Sequence, residues 1–387
     1  MKKIKELEEA LKSKKFKEKY PQFDTDDGKT HILYISPCLN GTGYYRAIAP
    51  ALELNNTDSI SAIVSSIHKW NFNKQFDDYD SPLDERLIKW AHYVVLPLMF
   101  TDAGYIQKAL YEINEEVQFV MDLDINYHKI PEGHPDFSKI TKPMKGQLLR
   151  NISNMEIVTG VSEGLLDYYE MLLEKQFPDS TVFLEYLPNL ISQFGYEDVK
   201  PLKKNTGEKI RIGLVGNAAS ADDVLSIKDV LKAIQEKHAE KVELILFGWD
   251  GKTKDTNLLD EIKVTTVKSV SFLEYFNKLN ELSLDLALLP FADISFNTHG
   301  KSAVKFYELS VFGIPVVASD IEPYSLEIEP QDTGLLAQDT EQWISAVDAL
   351  ISDEALRKRI GKSALRAVWR NNGFTSANLL AYQELFI

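Results

Sequence analysis

Short apolar runs alternate along the chain with longer stretches of helical character. The first run, His31-Ile32-Leu33-Tyr34-Ile35-Ser36, has a turn behind it, as expected of a strand buried in a parallel sheet. Comparable runs fall at 60–64, 93–96, 118–121 and 157–161, with helical stretches between them. Such alternation predicts a parallel sheet covered by helices on both faces. The rhythm then repeats, with runs at 210–215, 243–247, 284–289 and 315–319. Between the two series lies PLKKNTGE, residues 201–208, which is polar and without apolar periodicity, so the domain boundary is placed there.

The predicted organisation is a charged helical extension over 1–27, one Rossmann-like α/β domain over 28–200, a second over 206–366, and a C-terminal helix within 367–387 whose partner periodicity does not assign. A length of 387 residues agrees with two domains. Open α/β sheets bind ligands outside the carboxyl ends of their strands, so two such sheets in series are expected to leave a ligand cleft between those ends.

Charge removes one class of partner. The formal net charge of −15 opposes a phosphate backbone, so nucleic-acid binding is not expected. Locally, residues 2–19 carry eight lysines against four glutamates, with Ile4, Leu7 and Leu11 near helical spacing. This reads as a solvated, partly frayed helix, with weak contact to a membrane or a protein through residues 1–20 as the alternative. No apolar run reaches a membrane span and the N-terminus lacks the apolar core of a signal peptide, so a cytoplasmic location is expected. A single cysteine, Cys38, fits a reducing compartment, and the Asn40-Gly41-Thr42 triplet then carries no glycan.

The most informative segment begins Asn297-Thr298-His299-Gly300-Lys301-Ser302 and runs to Gly313-Ile314-Pro315. Gly313 and Pro315 are stop signals for a helix starting near Ser302, which would align Lys301, Lys305 and Glu308 on one face. A helix N-terminus with two lysines suits a diphosphate. Glu308, about 10 Å along at 1.5 Å per residue, could accept hydrogen bonds from a ribose diol. An ordinary exposed helix with a Lys-to-Glu ion pair fits the same spacing.

Continued through Val316-Val317-Ala318-Ser319, the segment resembles the donor-binding signature of group 1 (family 4) GT-B glycosyltransferases. In that family a glutamate before the Gly-x-Pro-Val-Val strand grips the nucleotide ribose, and Glu308 matches it. Phe296-Asn297, Lys301-Ser302 and Lys305 are similar to a subgroup in which the lysines hold the diphosphate. The resemblance continues at Gly213-Leu214-Val215-Gly216, Leu246-Phe247-Gly248 and Thr333-Gly334-Leu335-Leu336-Ala337, covering most of 206–366. It implies donor contacts from Gly216, Asn297, His299, Ser302 and Glu308, with Lys301 and Lys305 as catalytic cations. Two positions depart from it. Gly300 stands where the family has a second glutamate, and 217–223 reads NAASADD in place of a basic pair.

In the first domain Asn40-Gly41-Thr42-Gly43-Tyr44-Tyr45-Arg46 follows the first strand and opens a helix. Glycines allow close backbone approach and Arg46 can reach an anion. Similarity to the subgroup's Gly-x-Gly-Tyr-Tyr-Arg loop gives Gly41, Gly43 and Arg46 a donor-phosphate or acceptor role. Asp122-Leu123-Asp124, near His128 and His134, resembles the metal-binding triplet of the other glycosyltransferase fold. The preferred reading has no metal: the two aspartates cap a turn or bind acceptor hydroxyls, and Asp124 is a catalytic candidate. His31, His68, His92 and His238 read as structural or surface residues, and Tyr186-Leu187-Pro188-Asn189 as hinge material.

The resemblance implies transfer of a hexose-type sugar from a UDP- or GDP-sugar to a hydroxyl of a sugar, polysaccharide, lipid or protein, with retention and without metal or other cofactor. A nucleotide-sugar epimerase or hydrolase, and a non-catalytic sugar-nucleotide-binding subunit, share the architecture.

Overall fold

The structure, a computed structural model, describes residues 1–36, 39–65, 84–199, 202–250, 252, 259–292 and 294–387. Cys38, His68 and Pro201 of the boundary stretch lie outside the described residues. The chain divides into two compact units.

The first unit comprises Met1–His128, Ile140–Asp198 and Phe374–Ile387. Its described strands are β1 (Thr30–Tyr34), β2 (Ile60–Val64), β3 (Tyr93–Pro97), β4 (Gln118–Leu123), β5 (Ile157–Gly160) and β6 (Phe183–Tyr186). They pair in the order β2-β1-β3-β4-β5-β6, all parallel. β1 to β5 are apolar and largely buried because helices cover both faces. β6 is an edge strand with exposed ends and no continuous apolar run, so hydropathy alone does not reveal it.

Two terminal segments complete this unit. The helix Lys2–Lys12 is neither frayed nor free: Met1, Ile4 and Leu11 are buried, and the terminal amine donates to the Phe194 carbonyl. The apolar stripe is thus already covered, partly by the helix Gln193–Tyr196, which corrects the reading of a solvated, frayed helix. At the other end, the helix Ser376–Glu384 packs on Ala49–Leu54. Tyr382 OH donates to the Pro188 carbonyl at 2.7 Å, and the Phe374 N–H donates to the Ile191 carbonyl at 3.1 Å.

The second unit comprises Lys129–Lys139 and Val199–Gly373. Its described strands are β7 (Ile210–Val215), β8 (Val242–Phe247), β9 (Val264–Val267), β10 (Leu286–Leu289), β11 (Val316–Ser319) and β12 (Leu335–Ala337), in the order β12-β11-β10-β7-β8-β9 and all parallel. Counted from β7, this is the 3-2-1-4-5-6 order of a Rossmann sheet. Ile212, Leu214, Leu244, Leu246, Leu286 and Leu288 pack with Trp343, Val347 and Leu350 in its core. β9 and β12 escape a sequence reading because both are edges, one with exposed threonines and one only three residues long. Both units are therefore α/β and Rossmann-like, as the chain's rhythm predicts. Among the described residues no helix is long and apolar enough to cross a membrane.

Candidate functional site

In the second sheet β7 leads outward to β8 on one side, while the chain returns to place β10 on the other. This reversal parts the connecting loops and leaves a crevice at the carboxyl ends of β7 and β10. A cavity of about 50 Å³ lies there, lined among others by Gly216, Asn217, Asp223, Trp249, Phe291 and Lys305. The turn into it is tight: Gly248 has φ +92°, and a Cβ there would lie 2.1 Å from the Gly216 carbonyl oxygen. Gly248→Ala should therefore lower stability by about 2 kcal/mol or more, read as an earlier urea midpoint at unchanged slope.

After β10 the chain forms a short helix, Ser295–Thr298, and then the helix Val304–Ser310. Phe306, Tyr307 and Leu309 are buried and anchor this second helix. It starts after Lys301 and Ser302, so Lys301 does not share its face, contrary to the spacing argument. Lys305 and Glu308 do belong together. Lys305 Nζ lies 2.7 Å from Glu308 Oε2 and donates to Tyr275 OH at 2.9 Å, while Tyr275 OH donates to the same Glu308 oxygen at 2.8 Å. The ion pair foreseen for an exposed helix is present, but Glu308 is 3% exposed. Burial first and the Glu308 carboxylate second raise the Tyr275 phenol well above its ordinary pKa, so it remains a donor.

Lys301 sits in separate surroundings. Its Nζ is 3.4 Å from Asp223 Oδ2, and 4.8 and 5.0 Å from the ring centres of Phe291 and Phe296. Burial lowers its pKa, although Asp223 acts in the opposite direction. Asn297 Nδ2 donates to Asp223 Oδ1 at 2.7 Å and to the Ala292 carbonyl at 2.8 Å. Its Oδ1 is buried without a partner among the described residues. Ser302 is half-buried in the same link, whereas His299 is exposed, with Nδ1 3.3 Å from Thr298 Oγ1. Gly216 closes the turn, its N–H donating to the Phe247 carbonyl at 3.0 Å.

Sequence reasoning missed Tyr275, Asp223 and Tyr324. Tyr275 belongs to the helix Phe272–Leu282, distant in sequence from the lysines. Tyr324 lines the cavity against Phe291, with ring centres 4.6 Å apart. The only available signal for Asp223 was its presence where the resembling family has a basic pair. His134 was also misplaced: its segment belongs to the second unit, where its ring meets Phe296 edge-on at 5.5 Å.

The first-unit residues have a different role. Asn40 caps the turn Gly41–Gly43, which leads into the π-helical stretch Tyr44–Ile48. Neither glycine has positive φ, and a Cβ at Gly41 would meet nothing within 4 Å. Arg46 does not present an anion site. It is 8% exposed and donates from Nε and Nη2 to Asp122 at 2.9 and 2.6 Å, and from Nη1 to the Leu187 carbonyl at 2.6 Å and to Asn189 Oδ1 at 3.1 Å. Thr159 Oγ1 also donates to Asp122 Oδ1 at 2.6 Å. The Arg46–Asp122 pair thus fastens β4 to the 187–189 turn, which is a pinned connection of the first unit and not a free hinge.

Asp124 accepts from Thr42 Oγ1 at 2.7 Å and borders a cavity of about 20 Å³ with Tyr34, Val95 and Pro97. Burial, more than any neighbour, pushes its carboxyl pKa up. His128 is 3.1 Å from Tyr169 OH through Nδ1. Asp122 is held by Arg46, so the two aspartates are not a free pair of carboxylates. No group of three His, Cys, Asp or Glu among the described residues is arranged to hold a metal.

His128 supplies a pH prediction. Burial, assisted by Lys145, pushes its pKa down from 6.5 to about 4. The unfolded chain therefore binds a proton that the folded chain refuses between those values, and stability falls as pH drops through that window. The loss should approach about 3 kcal/mol near pH 4. His128→Asn should flatten the profile in urea unfolding followed from pH 7 to 4, with any slope from carboxylates retained in both proteins.

Residues 209–353 match the family described as Glycosyl transferases group 1, a span that includes the lysine segment, Asp223 and Tyr275. No curated protein matches the chain. Solved structures share the fold at low identity. Sucrose-phosphate synthase from Thermosynechococcus elongatus has a TM-score of 0.59 at 14% identity over 92% of this chain and 98% of its own. HepE of Anabaena, solved with UDP-glucose, has 0.55 at 12% over 92% and 99%. TarM of S. aureus, solved with UDP, has 0.52 at 14% over 76% of this chain and 55% of its own, so the chain spans about half the length of TarM.

Two Rossmann-like units in one chain give the fold of the GT-B glycosyltransferases, and the second unit carries the group 1 match. Within that fold, residues 209–353 of the second unit are similar to the group 1 glycosyltransferases.

Proposed function

We propose that the protein transfers a sugar from a nucleoside diphosphate sugar to an acceptor hydroxyl, with retention and without a metal ion. The observation that carries this reading is the Lys305–Tyr275–Glu308 cluster beside the cavity at the β7/β10 reversal. Lys305 and Lys301 supply the cations for the diphosphate, whose growing charge as leaving group is what catalysis must stabilise. Glu308 orders Lys305 and faces the ribose. Gly216, Asn297, His299 and Ser302 complete the donor contacts. In the first unit Asp124, its carboxyl biased towards the protonated form, contacts an acceptor hydroxyl. UDP-bound structures of the fold support a nucleotide-sugar donor. The single cysteine supports a reducing compartment such as the cytoplasm.

The test is a panel of UDP- and GDP-sugars, first by thermal shift and then by turnover with and without an acceptor panel. Transfer that depends on acceptor is expected. Conversion at full rate with no acceptor would identify an epimerase or hydrolase instead. A non-catalytic binding subunit, which Gly300 in the place of a family glutamate favours, would show saturable binding and no turnover.

A further inference from the structure

The charged groups around the second-unit cavity form two pairs, Lys305 with Glu308 and Lys301 with Asp223, whose formal charges cancel. A pocket built only to retain a diphosphate would keep its cations unopposed. Asp223 is the unexpected member. It lies on the helix Ala221–Ser226, 4% exposed, and its carboxylate is fully engaged. Oδ1 accepts from the Ala292 N–H at 3.0 Å and from Asn297 Nδ2 at 2.7 Å, and Oδ2 faces Lys301 Nζ.

Each contact has a consequence. The bond to Asn297 fixes that amide with Nδ2 inward. The 3.4 Å separation from Lys301 exceeds the roughly 2.7–2.9 Å of a charge-assisted hydrogen bond. The ammonium, resting between Phe291 and Phe296, is therefore attracted to Asp223 without being closely bound to it. It can turn to a phosphate oxygen without leaving its place.

We propose that Asp223 is a positioning residue for the donor diphosphate: it holds Lys301 and Asn297 in place, and its negative charge weakens retention of the nucleoside diphosphate product. The inference rests on the donor-binding reading above. The carboxylate repels substrate and product diphosphate alike, so it lowers ground-state binding while leaving Lys301 preorganised for the transition state. Where release limits turnover, that loosening raises kcat.

The experiment measures binding of pyrophosphate, UDP and GDP by calorimetry at low and high salt, for wild type, Asp223→Asn, Lys301→Met and the double variant. Asp223→Asn keeps an acceptor for Ala292 and Asn297 and removes the charge. It should bind all three probes about tenfold tighter or more, with a steeper salt dependence, and show lower KM and lower kcat. On the Lys301→Met background the gain should persist, since the repulsion it relieves acts on the diphosphate directly. Unchanged or weaker binding by a normally folded Asp223→Asn would overturn the inference while leaving donor binding intact. Should that variant not fold, the wild type decides: a charge-balanced pocket predicts a shallow salt dependence for pyrophosphate, and a steep one would overturn the proposal. Wild type that binds none of the probes would remove the donor reading, and this inference with it.

Discussion

Lys305→Ala is expected to reduce kcat/KM for sugar transfer by about 10²–10³-fold, the effect of removing one preorganised group from a developing charge. Nucleotide affinity should fall as well, by about ten- to a hundredfold for a lost hydrogen bond to a charged group. The variant also leaves Glu308 without its cation, so stability should decline. Lys305→Ala/Glu308→Gln separates the two effects. It removes the uncompensated carboxylate and should recover stability, whereas activity and nucleotide binding should remain lost. Calorimetry and denaturant unfolding on the same three proteins provide the comparison, and activity that returns with stability would show the cluster to be merely structural.

The second large effect concerns the first unit. Arg46→Met should destabilise the protein by about 3–5 kcal/mol, because it strands Asp122 in the interior and removes the donor to the Leu187 carbonyl and to Asn189 Oδ1. Desolvation alone opposes a buried guanidinium, yet the Asp122 carboxylate and its hydrogen bonds more than offset it, so the Arg46 pKa is raised. Arg46→Met/Asp122→Leu should recover part of the loss, since neither charge is then left alone. Nucleotide affinity, normalised to folded protein, should stay unchanged in Arg46→Met. A selective loss of affinity with native stability would instead restore the anion-binding role that the loop sequence implies.

These contrasts show what a linear reading captures. β1 to β5 and the central strands of the second sheet are apolar because helices bury both their faces, and that condition is visible in local composition. The edge strands β6 and β9 have exposed positions and β12 is only three residues long, whereas β2, an edge strand buried along its whole length, is as apolar as the central ones. The same distinction governs the site. Lys305 and Glu308 are three residues apart on one helix, so their meeting is a local event. Tyr275, which completes the cluster, approaches from another helix, and Asp223 reaches Lys301 from 78 positions away. Arg46 resembled an anion ligand because its loop does. Its partners, Asp122, Leu187 and Asn189, are 76 to 143 positions away and set by the fold.

The most direct test is a crystal structure of the protein with UDP and with GDP at saturating concentration. One of them should occupy the cavity beside β7 and β10, its diphosphate within hydrogen-bond distance of Lys301 Nζ and Lys305 Nζ and its ribose at Glu308. Nucleotide bound elsewhere, with these side chains still facing only their carboxylate partners, would contradict the account.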